Sequence, residues 1–93
     1  MHVISTMKYY NIYSDGNNHF IVHNMRKNFS NGHTHIDNYK TAKYITYLAL
    51  YKKLPKNHHL SLYLIQSLIR ISTDKDYIDE LNKFMNEMKL KHK

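Results

Sequence analysis

The sequence predicts an α+β domain in which a small antiparallel sheet is followed by three α-helices. Three observations carry this. Alternating Tyr- and Ile-rich segments, separated by Asn/Gly turn residues, fill positions 8–36. Apolar residues at helical spacing fill positions 38–90, broken at Leu54-Pro55 and by the loop that follows. Ninety-three residues with 42% hydrophobic content suffice for one core, so 1–93 reads as a single small domain.

KYYNIYS (8–14) alternates and reads as a strand. SDGNN (14–18) supplies turn chemistry, because Gly and Asn accept positive φ and Asp bonds its own backbone. HFIVHNM (19–25) is the return strand, which completes an N-terminal antiparallel β-hairpin. RKNFSNG (26–32) marks a second turn. GHTHI (32–36) is then either the third strand of a meander or an extended lead into the first helix. Met7 offers a second translation start, so residues 1–6 are expected as a loose N-terminal extension.

Asp37 or Asn38 can cap the first helix, 38–53, by accepting from the free amides of its first turn. Leu54-Pro55 ends it, since the residue before proline resists the α region. KNHH (56–59) is a loop, and Ser61 caps a second helix, 61–72, apolar on most of its circumference. Leu64, Ile65, Leu68 and Ile71 of that helix are the expected core. Thr73 to Asp76 approximates a capping box that opens a third helix, 74–90. Tyr77, Leu81, Phe84, Met85 and Met88 form its apolar stripe, and Asp74, Asp76, Asp79 and Glu80 suit the positive end of its dipole.

Composition narrows the function classes. The chain has no cysteine, which excludes disulfides and thiolate metal centres. GxxxxGK[ST], GxGxxG and HExxH are missing, and the serines sit at turns and helix starts, where capping explains them. No apolar run approaches a bilayer span, and MHVISTMKYY lacks the basic and apolar segments of an export signal. A cytoplasmic location without membrane contact is therefore expected. Asn, Lys, Tyr and Ile, all read from AT-rich codons, are abundant, which suggests a low-GC bacterium or phage. The net charge of +7 lies wholly within residues 1–73, where nine Lys/Arg face only Asp15 and Asp37. Such a basic body suits an anionic partner, although a protein from a Lys-rich proteome would carry the same surface.

Four histidines draw attention. Strand alternation places His19, Ile21 and His23 on one face of the return strand, and His33 and His35 on one face of 32–36. His19, His23, His33 and His35 can thus line the outer sheet face as weak candidates for metal ligation or proton transfer, with Asp37 the nearest carboxylate in sequence. HTHI resembles the His-x-His of metal-dependent amidohydrolases, but 93 residues do not make that family's barrel. NNHFIVHN resembles the histidine-bearing hairpin of small toxin ribonucleases over eight residues only. Neither likeness transfers a residue role, so no catalytic residue, metal or cofactor is assigned.

The helix after the His-Thr-His offers more. Lys40, Lys43, Tyr44, Tyr47 and Tyr51 fall within about a third of its circumference. Ala42, Ile45 and Ala49 lie opposite and should face the core. Lys52, Lys53 and Lys56 extend the charge beyond the helix end, with Arg26 and Lys27 close in sequence. Lysines interleaved with tyrosines suit a polyanion, with ammonium groups on phosphates and phenols stacking on bases. The bland reading is that the tyrosines pack on the hairpin and the lysines answer the helix dipole. No DNA-reading motif is present, so backbone-directed rather than sequence-specific contact is expected. The chain reads as a small basic, non-enzymatic binding module, an accessory protein docking on nucleic acid or a nucleoprotein. The alternatives are a phage-type protein inhibitor gripping an acidic protein surface and, behind it, a His-dependent nuclease or metal enzyme. An edge strand or the tyrosine face is a candidate homodimer contact.

Overall fold

A computed structural model describes residues 1–55 and 61–91. Its elements run β1 (His2–Met7), β2 (Tyr10–Ser14), β3 (Phe20–Asn24), α1 (Phe29–Gly32), β4 (His33–Ile36), α2 (Tyr39–Tyr51), α3 (Leu62–Ile71) and α4 (Lys75–Lys91). The four strands form an antiparallel meander in the order β1-β2-β3-β4. The α+β expectation holds, and GHTHI is a strand rather than a lead-in. Two elements are additional: the strand β1 and the single turn α1.

Residues 1–6 are expected as a loose extension, but His2–Met7 pair along β2 from His2 opposite Ser14 to Met7 opposite Tyr10, with an irregularity between Val3 and Ser5. Lys8 and Tyr9 make the connecting turn, with Lys8 in the left-handed region at φ 54°. No face of β1 is buried, so its sequence carries no alternating pattern to read. Backbone pairing to β2 defines it instead. In α1, Gly32 N–H donates to Asn28 O at 2.8 Å, so the expected turn closes as one helical turn. A Cβ at Gly32 would stand 2.5 Å from Lys27 Cβ, which explains glycine at this tight crossing.

The register fixes which residues share a face. Ile12 opposes Val22 and Val22 opposes Thr34, while Phe20 opposes Ile36. This face, with Tyr10, packs on the helices, and Ile12, Val22, Ile36, Ile45, Ile65, Leu68, Ile71 and Leu81 are fully buried there. Ile65, Leu68 and Ile71 of α3 form the expected centre, whereas Leu64 is half-buried at its edge. Tyr77, Leu81 and Met88 bring α4 onto the same core, with Phe84 and Met85 half-buried beside it. Buried polar groups at the helix–sheet junction are matched. Asn24 Nδ2 and the Tyr10 hydroxyl both donate to Ile71 O, at 2.9 and 3.2 Å, at the end of α3.

Caps set the helix starts. Asn38 accepts from Thr41 N–H at 3.1 Å and Ser61 accepts from Leu64 N–H at 3.4 Å. For α4 the cap is Asp74, whose carboxylate accepts from Tyr77 N–H at 2.9 Å, and not the expected Thr73. Asp wins because an ionised acceptor also interacts with the helix dipole. Among the described residues no helix is long and apolar enough to cross a membrane.

Candidate functional site

The first candidate surface is the outer face of α2. Ala42, Ile45, Thr46, Leu48 and Ala49 are buried, with the Thr46 hydroxyl returned to Ala42 O at 2.8 Å. Lys40, Lys43, Tyr44, Tyr47 and Tyr51 are therefore left on the solvent side, as the wheel requires. Tyr51 is 56% exposed, Tyr44 39% and Tyr47 38%, so part of each ring is open to solvent. The helix closes before Leu54-Pro55: Lys52 adopts the left-handed conformation at φ 54° and its N–H bonds Leu48 O. The Tyr77 hydroxyl, from α4, shares its proton between Lys53 O at 2.7 Å and Leu48 O at 3.1 Å. Burial pushes the Tyr77 phenol well above the usual tyrosine range, so it remains a donor.

The lysines divide into two groups. Lys52 Nζ lies 2.9 Å from Asp74 Oδ2, and this bond raises the lysine pKa while lowering that of the aspartate. Lys53 Nζ donates to the Tyr47 hydroxyl at 3.0 Å, which raises its pKa in turn. Lys43 sits over the Tyr39 ring at 5.3 Å. Among the described residues, Lys52 alone of Lys40, Lys43, Lys52 and Lys53 has a carboxylate partner. Tyr47 and Tyr51 rings meet at 5.1 Å. A shallow cleft lined by Tyr44, Tyr47, Leu48, Lys53 and Leu54 runs along this face. Lys56 lies outside the described residues. Arg26 and Lys27 do not join the surface as free charges: Arg26 covers Tyr9 at 3.9 Å, and Lys27 Nζ donates to Arg70 O at 2.9 Å.

The second surface is the opposite face of the sheet. His23 opposes His33 and Ile21 opposes His35, so the expected sharing of a face is realised. Ile21, with Tyr13 and His35 as its register partners, is 5% exposed. Phe29 of α1 stacks on His33 with centroids 4.3 Å apart and meets His23 edge-on at 5.2 Å. His23 Nε2 donates to Lys27 O at 3.1 Å, which leaves Nδ1 buried and without a partner among the described residues. His33 Nδ1 donates to Phe29 O.

Asp15, not Asp37, is the carboxylate that reaches these histidines. Its Oδ1 accepts from Asn17 N–H at 2.9 Å in the β2–β3 turn, and its Oδ2 accepts from His19 Nδ1 at 3.1 Å. The Asn17 bond, then His19, hold its pKa below the usual aspartate value. His19 Nε2 in turn lies 3.0 Å from His35 Nδ1, the two rings within 5° of parallel. Desolvation, then the neighbouring His33, His19 and Arg70, lower the His35 pKa below the usual imidazole value. His33 stands nearly perpendicular to His35 with centroids 5.0 Å apart. Among the described residues no group of three or more His, Cys, Asp or Glu side chains is arranged to hold a metal ion.

Comparison with protein-family models, curated proteins and solved structures finds no match for this chain. Sequence reasoning missed Asp15, Tyr39, Phe29 and Arg70. Asp15 was legible in principle, since it flanks the turn that returns to His19. Phe29 and Arg70 carried no local signal, because their roles depend on strand β4 lying beside α1 and α3.

Proposed function

We propose that this chain is a small, non-enzymatic binding module that docks on the backbone of nucleic acid, or of a nucleoprotein, through the outer face of α2. It fits an accessory protein of a low-GC bacterium or phage. One observation carries the reading: α2 exposes Tyr44, Tyr47 and Tyr51 beside Lys40 and Lys43, with no carboxylate bonded to either lysine among the described residues. Ammonium groups there neutralise phosphates and exposed phenols stack on bases. Lys53, bonded to Tyr47, orients that ring, and Lys52, bonded to Asp74, contributes to the fold first.

The same face also fits an acidic protein surface, because the cleft between Tyr44, Tyr47 and Leu54 offers an apolar seat with a lysine rim. Titration of short labelled single- and double-stranded DNA and RNA at two salt concentrations separates the readings. For nucleic acid, affinity falls steeply with salt and is lost in Lys40→Glu/Lys43→Glu. Absence of binding at low salt rejects the nucleic-acid reading and leaves the protein target, sought by stoichiometric binding to a purified candidate.

A further inference from the structure

We propose that His19 Nε2 and His35 Nδ1 form a two-imidazole site for a divalent transition ion of the zinc, nickel or copper class. The proton arrangement between the two rings leads there. Asp15 accepts from His19 Nδ1, so neutral His19 presents a lone pair at Nε2. That lone pair faces His35 Nδ1 at 3.0 Å, and the two nitrogens share one proton. A metal ion takes the place of this proton when His35 moves its own proton to Nε2. Both nitrogens then offer lone pairs, and no charge is left uncompensated on either ring.

The distances suit such an ion. Bonds of about 2.0–2.1 Å at a tetrahedral angle require the nitrogens to lie roughly 3.3 Å apart, an opening of a few tenths of an ångström. His19 sits at the exposed end of the β2–β3 turn, where that adjustment is cheap. His35 is held more firmly, because Tyr63 donates from its hydroxyl to His35 O and Arg70 donates to His33 O at 2.7 Å. Asp15 supplies the outer carboxylate that orients a ligating histidine and raises its basicity. The His33 ring lies beside the pair, 5.0 Å from His35 between centroids, with its Nδ1 bonded to Phe29 O. Imidazole donors select zinc, nickel and copper over magnesium and calcium. Two protein ligands with water completing the shell make a labile site, weaker than a four-ligand structural centre.

The test is calorimetric titration of the full chain with Zn2+, alongside histidine-ring NMR of the same samples, with Mg2+ as the control ion. The expected result is binding of a single Zn2+ that shifts the His19 and His35 ring resonances. His19→Ala and His35→Gln should each abolish the isotherm while the amide spectrum keeps its folded dispersion. Asp15→Asn should weaken it by about tenfold or more, as loss of an outer-shell carboxylate does. Mg2+ should produce no heat. The proposal is overturned if wild-type protein gives no Zn2+ isotherm. It is equally overturned if the isotherm persists in both histidine variants, which would put the ion on other histidines.

Discussion

Arg70 of α3 donates from Nε to the backbone carbonyl of His33 at 2.7 Å, and from the same guanidinium to Ser30 O at 3.0 Å. Tyr63, two turns earlier on α3, bonds His35 O in the same way. β4 is the last strand of the sheet, so its outer carbonyls have no strand partner. Side chains of α3 satisfy them, and this protects one edge from pairing with another chain. The histidine strand is thereby fixed from the helical side while its imidazoles face away.

Arg70→Met should lower stability by about 1.5–3 kcal/mol, the usual range for hydrogen bonds to a charged donor. Urea unfolding should show a lower midpoint with an unchanged slope. Amide exchange should accelerate first in residues 33–36, because those are the groups that lose their anchor. A uniform loss across the sheet would assign Arg70 a general packing role instead.

Asn24 is fully buried, donating to Ile71 O at 2.9 Å and accepting from Arg26 N–H at 2.9 Å. Asn24→Ala should cost about 2 kcal/mol or more through the unpaired amide and the void. Asn24→Asp should be worse at neutral pH, since a carboxylate there would face the Ile71 carbonyl. Such an acid has a folded-state pKa above its unfolded value, near 3.9. Its penalty therefore grows as pH rises through that value and shrinks below it. Unfolding midpoints at pH 3.5 and 7 measure the difference.

Asp74 caps α4 and pairs with Lys52, and both contacts hold its pKa below the usual aspartate value, the Lys52 bond first. A lowered folded-state pKa means stability that is present above about pH 4 and lost as pH falls through the folded value. Asp74→Asn keeps a cap acceptor but loses the charge, so it should remove that pH dependence together with the modest stability it represents at neutral pH. Asp74→Ala should also lower the melting temperature. Lys52→Ala should remove only part of that pH dependence, because the Tyr77 N–H bond to Asp74 remains, and leave nucleic-acid affinity nearly unchanged, whereas Lys40→Ala and Lys43→Ala should do the reverse. Equal loss of affinity from all three lysines would contradict the division of roles between them.

Much of this fold was legible because the patterns were local. The hairpin, the three long helices and the buried stripe of Ile65, Leu68 and Ile71 followed from spacing and turn chemistry. So did the outward set of Lys40, Lys43, Tyr44, Tyr47 and Tyr51, since one helix wheel decides it. The strand β1 was not legible, because neither face is buried and no alternation is imposed on it. The partner of Lys52 was not legible either: Asp74 lies 22 positions away and is brought near only by the packing of α4 on the end of α2.

Sequence alone thus determined the α+β class, the order of the long elements, the cysteine-free chemistry and the placement of the positive charge. All of these depend on composition or on periodicity within one element. The tertiary structure decided which charges are free and which are spent on the fold, and which carboxylate meets the histidines. It chose Asp15 rather than Asp37, and joined His19 of one strand's approach to His35 of the next at 3.0 Å. Contacts of that kind depend on strand register and helix docking, which balance the whole core at once and leave no mark on neighbouring residues.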